Sequence, residues 1–307
     1  MGIPSILFIH QNISKFIIIL KMAKLLFSGH ETFQCKSLWL KKSYDFLHDG
    51  NTFSQSDAVV KLGVGKNMVS SIRYWTNAFG FLSEKDELAK FLFGSRGKDP
   101  FLENIGSLWI LHHRLISQGV ASIFSLVFNG LRKERIEFTK NQMINFLKRK
   151  CQEHNEAFKV NIVERDIGVF LKSYLQPRGK VQNIEDEFSG IFLELGIIEE
   201  IEGAEDDLGK RYRIAGCERP EIPIEVILFC ILSNAKYGLS ISFYELLSGY
   251  DSIGTIFALN SEGLRLKIQE LTTRYKDITY KEDAGIRELQ FKTKPDRWDV
   301  MKSYYAK

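Results

Sequence analysis

Paired cysteines are missing from this sequence. Cys35, Cys151, Cys217 and Cys230 are scattered through 307 residues, with no Cys-x-x-Cys and no Cys/His pair at metal-ligand spacing, which argues against a disulfide framework and a structural zinc. A membrane-length apolar run is missing too. Phe16-Ile17-Ile18-Ile19-Leu20 is far shorter than the roughly 20 residues a span needs, and His10, Gln11, Asn12, Ser14 and Lys15 interrupt the residues before it. Lys21-Met22 lacks the small residues of a signal-peptide cleavage site. There is no low-complexity tract, and a net charge of +4 is far below that of a histone-like polycation. Together these absences predict a globular protein of the reducing cytoplasm, with no membrane partner. They also make Met22 the expected start, with residues 1–21 a disordered or non-native lead.

The chain does have the length and apolar content for a large core, with 44% hydrophobic and 26% charged residues. Its charge is unevenly spread: 12 Lys and Arg against 6 Asp and Glu from Arg132 to Lys180, then 4 against 13 from Val181 to Glu225. A polyanion would choose the first stretch and avoid the second.

Helical periodicity dominates. Leu38, Trp39, Tyr44, Phe46 and Leu47 mark one amphipathic helix, stopped by Asp49-Gly50-Asn51. Ser54 stands as an N-cap three residues before Asp57, ahead of a helix that ends at Gly63-Val64-Gly65, and a further helix is expected from Lys66 to Phe79, ended by Gly80. Two helices around a glycine turn form a helix-turn-helix, with Val59, Gly63, Val64, Val69 and Ile72 at the positions that lock such a unit. A second, weaker copy lies between Ile222 and Phe291, with helices at Ile224–Leu232, Ser240–Leu247 and Ser261–Leu271 before a hairpin around Glu282-Asp283-Ala284-Gly285. Leu108, Leu111 and Leu115, then Met143, Ile144 and Leu147, then Val169, Phe170 and Tyr174 mark helices between the two units. Pro177-Arg178-Gly179 and Gly203-Ala204-Glu205-Asp206-Asp207 read as exposed loops, the second at the tip of a small hairpin from Ile197 to Ile214. The fold expected is mainly α with small β-hairpins, with winged helix-turn-helix domains at both ends of a helical bundle. The divisions are 1–21, 22–87, 88–220 and 221–307.

On a helical wheel, Met68, Val69, Ile72, Trp75 and Phe79 share the core face of the Lys66–Phe79 helix. The opposite arc carries Lys66, Asn67, Ser70, Arg73, Tyr74 and Asn77, and no acid occurs in the helix. Arg suits guanine edges, Asn suits adenine edges, and Lys, Ser and Tyr suit phosphates, so this arc is the expected contact with double-stranded DNA. The C-terminal unit offers Arg265 and Lys267, diluted by Glu262 and Glu270.

Catalytic candidates are fewer. His30-Glu31 combines a His and a carboxylate beside a glycine, a pairing able to share a divalent metal or to assist phosphodiester cleavage. His112 and His113 are adjacent on a helix and diverge by about 100°. One is expected to pack and the other to be solvated. Glu164-Arg165-Asp166 reads as a helix N-terminal charge cluster, and Gly94-Ser95-Arg96-Gly97-Lys98 lacks the spacing of a nucleotide-binding P-loop.

The segments Phe27-Ser28-Gly29-His30-Glu31-Thr32-Phe33, Trp39-Leu40-Lys41-Lys42 and Leu62-Gly63-Val64-Gly65-Lys66-Asn67-Met68-Val69 resemble a bacterial family labelled a domain of unknown function. Asp99-Pro100-Phe101-Leu102-Glu103, Leu108-Trp109 and Asp283-Ala284-Gly285-Ile286-Arg287-Glu288-Leu289 extend the resemblance, which spans Phe27 to Phe291. That family is itself similar to SspB, the component associated with DNA nicking in the DNA phosphorothioation defence system. The resemblance implies a DNA-binding subunit of such a complex, with the other proteins of a DNA sulfur-modification complex as partners; a homodimer is compatible with it. Two alternatives stand beside this reading. One is a metal-dependent nickase centred on His30 and Glu31, which alone requires magnesium or manganese. The other is a winged-helix transcription regulator.

Overall fold

Glycine at 63 decides how the first helices meet. The computed structural model describes residues 24–83, 85–176, 190–206 and 209–306. In it α1 (Ser37–His48), α2 (Ala58–Leu62) and α3 (Lys66–Ala78) come in succession. Gly63 closes α2 with a left-handed φ of +62°, a conformation that strains any residue with a Cβ, and Gly65 starts α3 from an extended backbone. Between the three helices Phe46, Ala58, Leu62 and Val69 form a small separate core. The small buried residue of α2 is Ala58 rather than the expected Val59, which is exposed. Nor does Ser54 cap this helix: Asp57 is its N-cap residue, and Ser54 lies in the preceding turn.

Beyond α3 come α4 (Glu87–Phe93), α5 (Ile105–Gln118) and α6 (Ser122–Leu126), the last running through a π-helical stretch (Val127–Leu131) into α7 (Arg132–Glu134). α5 is buried along almost its entire length, and both His112 and His113 are enclosed, where one was expected to pack and the other to be solvated. His112 Nε2 meets the Ile256 carbonyl at 3.0 Å and its Nδ1 meets the Tyr174 hydroxyl at 3.1 Å.

The same strand order then occurs twice. β1 (Glu137–Thr139), α8 (Lys140–Glu153) and α9 (Val160–Tyr174) precede the antiparallel pair β2 (Glu199–Asp206) and β3 (Gly209–Arg213), giving the strand order β1-β3-β2. After the very apolar α10 (Ile224–Ser233), β4 (Ser240–Ser242), α11 (Phe243–Ser248), α12 (Ile253–Ile256) and α13 (Ser261–Arg274) precede β5 (Ile278–Asp283) and β6 (Ile286–Phe291), in the order β4-β6-β5. α14 (Arg297–Tyr305) closes the described chain. The β5–β6 turn has Ala284 and Gly285 at φ +47° and +82°, the paired positive values a two-residue hairpin turn requires.

Helices dominate and the sheets are small, as expected, but their placement differs. Among the described residues no strand precedes Glu137, so none accompanies α2 and α3 as the expected wing, and the first sheet unit lies mid-chain. In the C-terminal unit residues 240–242, expected as helix, pair with β6; Ser242 caps α11 by accepting from Glu245 N–H, which leaves the preceding residues extended. The lead at 1–21, the loop at 177–179 and residue 207 lie outside the described residues, whereas residues 203–206, expected in an exposed loop, belong to β2.

Candidate nucleic-acid interface

The exposed face of α3 follows helical spacing. Lys66, Ser70, Arg73 and Asn77 stand three or four residues apart and are exposed together with Asn67, while Val69, Ile72, Trp75 and Ala78 are buried behind them. Neither Lys66 nor Arg73 has an ion pair among the described residues. Tyr74, expected on the same arc, is buried, because a segment from elsewhere in the chain covers it. A Cβ on Gly29 would stand 2.7 Å from the Tyr74 ring, and the His30 ring meets that ring edge-on. Burial and the Asp166 charge push the Tyr74 hydroxyl well above its ordinary range.

That covering segment places the catalytic candidates. Ser28, Gly29, Glu31 and Thr32 all have positive φ, so the backbone coils tightly around His30. Thr32 N–H donates to His30 Nδ1 at 3.2 Å, which leaves Nε2 to donate to Asp166 Oδ1 at 3.0 Å. Asp166, on α9, also accepts from Ser28 N–H through both oxygens, and Ser71 on α3 donates to the His30 carbonyl at 3.0 Å. Trp75 Nε1 donates to the Phe33 carbonyl. His30 is thus enclosed with both ring nitrogens engaged, and it fastens the N-terminal segment to α3 and α9. Glu31 is exposed beside it. Asp166, read from sequence as part of a helix N-terminal charge cluster, lies inside α9 as this clamp's buried acceptor.

In the C-terminal unit Lys267 is buried, and its Nζ donates to the carbonyls of Pro220 at 3.3 Å and Ile222 at 2.6 Å, which removes it from the exposed face. Arg265 is exposed but held by Glu262 one turn away, and Arg287 on β6 by Glu282 at 2.7 Å. Sequence spacing alone had put Arg265 and Lys267 forward together; the backbone at Pro220–Ile222, remote in sequence, separates them.

A second basic surface went unread in the sequence. Lys90 of α4, Arg96 and Lys98 line a cleft of about 800 Å3 with Tyr44, His48 and Trp298. Gly94 and Gly97 are compelled there, since a Cβ would meet the Lys90 carbonyl at 2.6 Å and the Leu92 carbonyl at 2.3 Å. The acids of the cleft are occupied: Glu87 accepts from Arg297 and from Trp298 Nε1, and Asp296 caps α14. The available signal was the run from Lys90 to Lys98, three cations and no acid.

The family described as "Protein of unknown function (DUF4007)" matches residues 27–305. A solved structure named "SspB crystal structure" is similar with 27% identity, and one named "Magnesium ion-bound SspB crystal structure" with 26%. Both give a TM-score of 0.79 and cover 94% of this chain and 90% of the other. No curated protein matches.

Proposed function

The chain belongs to the DUF4007 family and has an SspB-like structure, and we propose that it grips duplex DNA through α3 as a subunit of a bacterial DNA phosphorothioation defence complex. The observation that carries this reading is the α3 face: five exposed polar or basic residues, none acidic, with Lys66 and Arg73 unpaired and presented beyond a tight glycine turn. Lys66 stands at the helix N-terminus, where phosphates are favoured, and Arg73 lies two turns further on, in reach of phosphate or a base edge. Lys90, Arg96 and Lys98 add a second surface for the DNA backbone. The two units in which a strand and helices precede a hairpin are winged helices on this reading, bracing the grip, with Arg265, Lys267 and Arg287 of the second already engaged within the chain.

Labelled duplex titrated across a salt series tests this. Lys66→Ala is expected to lower affinity at every sequence and to reduce the salt slope by about 1. If Arg73 reads a base edge, Arg73→Ala is expected to cost roughly 1–3 kcal/mol at one position of the site only. Both side chains are exposed, so circular dichroism should be unchanged. Unaltered affinity in both folded variants would overturn the assignment.

Metal-dependent nicking is a second reading, favoured because one similar structure is named as magnesium-bound. The residues at His30 and Glu31 do not fit a metal. Both nitrogens of His30 are engaged, Glu31 has no partner ligand, and among the described residues no three His, Cys, Asp or Glu side chains gather to hold an ion. No step is assigned to a metal there.

A further inference from the structure

The segment between β3 and α10 crosses the start of α13 and meets α7. Cys217 N–H donates to the Ala258 carbonyl and Asn260 N–H to the Cys217 carbonyl, both at 2.9 Å, which fixes the crossing. At Gly263 a Cβ would stand 2.5 Å from Glu218 Cα, so the segment lies directly on the first turn of a 14-residue helix. At Gly216 a Cβ would stand 3.4 Å from Arg132 Nη2 and 3.6 Å from Asn260 Cβ. Gly216 thus lets the α7 guanidinium approach the segment beside Asn260, whose side chain caps α13 by accepting from Gly263 N–H at 2.7 Å.

Two guanidiniums gather here with little to answer them. Arg219, only 8% exposed, reaches the Gly196 carbonyl at 3.5 Å and Glu221 Oε1 at 3.6 Å, distances too long for a strong pair, and Glu221 is itself exposed. Arg132 has no ion pair among the described residues. The Nε of each is buried without a hydrogen-bond partner. Burial and the neighbouring Arg219 push the Arg132 guanidinium down to about 10. Buried N–H donors and buried like charges are both costly, and a compensating anion relieves both at once. Gly216 is exposed and Arg132 and Cys217 are half-buried, so the corner opens to solvent.

We propose that Arg132 and Arg219 form a binding site for a tetrahedral oxyanion, a phosphate or sulfate group, held by guanidinium forks beside Gly216. Planar guanidinium donors match such an anion as a lysine ammonium does not. The group could be supplied as a free ion or as a phosphate of the DNA backbone; only the second source rests on the α3 reading.

Thermal unfolding of the full chain in inorganic phosphate, against chloride at matched ionic strength, is the first measurement. Saturable stabilisation of about 2 °C or more is expected if free phosphate binds, lost in Arg132→Gln and weakened in Arg132→Lys, which keeps the charge and tests the fork without the risk of a failed fold. The second measurement is duplex affinity across salt. With DNA as the source, free phosphate leaves the midpoint unmoved while Arg132→Gln reduces the salt slope by about 1, in addition to the effect of Lys66→Ala. A phosphate response undiminished in Arg132→Gln and Arg132→Lys, or neither a phosphate response nor a slope change, overturns the site. Failure of the α3 reading alone would leave the free-phosphate response intact.

Discussion

Asp251 has a left-handed backbone, φ +58°, and burial pushes its carboxyl up to about 6, although Asn129, Lys236 and Lys133 all favour the charged form. Its folded value is therefore above the unfolded one. The stabilisation is fully present below about pH 4, where both states hold the proton, and is lost as pH rises through 6. Asn129 Nδ2 donates to Asp251 Oδ1 and Asn129 Oδ1 accepts from Asp251 N–H, both at 2.8 Å. Asparagine keeps the acceptor and tolerates the left-handed backbone. Asp251→Asn is thus expected to raise the melting temperature relative to the parent at pH 8 and to leave it nearly equal at pH 4, by about 2 °C or more at the upper end. A difference that shrinks as pH rises would refute the account. His112 and His113 show the same control by burial from the basic side, held down to about 3 and about 4.

Among the elements, α3 is held in place by a distant segment, through Ser71 to the His30 carbonyl and Trp75 to the Phe33 carbonyl. Its inner side chains enter the main core through Ile72, Trp75 and Ala78 and the small core through Val69, and the His30 clamp covers Tyr74 between them. His30→Ala removes the partner of buried Asp166 and opens a void against Tyr74 and Trp75, at an expected cost on the order of 3 kcal/mol. Hydrogen exchange in α3 should quicken, and any fall in duplex affinity should leave the salt slope as it was, in contrast to Lys66→Ala. An unchanged melting temperature would show that the clamp contributes nothing. Glu31→Ala, exposed beside it, is the matched control and should unfold at the parent temperature.

Across the whole molecule, one apolar cluster runs from Cys35 to Met301 and takes in residues from all three expected units. α14 returns to the start of α5: Tyr304 donates to Asn104 Oδ1 at 2.6 Å, Tyr305 and Asp99 both meet Ser107 Oγ, and Gly106 lets the Tyr304 ring approach where a Cβ would be 2.6 Å from its hydroxyl. Trp75 near one end and Trp298 near the other therefore report on connected packing. Denaturant unfolding followed by tryptophan fluorescence and by circular dichroism is expected to give coincident transitions. Two separated transitions would show that the units unfold independently in spite of the shared core.

Elements whose pattern is local were legible in the sequence. The 3.6-residue period located α1, α3, α5, α8, α9 and α10, the glycine turn at 63–65 located the junction of α2 and α3, and the polar turn at 282–285 located the last hairpin, because helix faces and turn backbones are set by residues a few positions apart. The α3 face was legible for the same reason, all but Tyr74. What tertiary structure decided depended on distant partners. Segment 28–33 turned Tyr74 inward and His30 into a fastening, carbonyls at 220 and 222 buried Lys267, strand β3 drew residues 137–139 into a sheet, and Gly216 let Arg132 settle on the segment that carries Arg219. A side chain's periodicity says which face of its own element it occupies. Whether that face meets solvent, a charge or another backbone is decided only when the remote chain arrives.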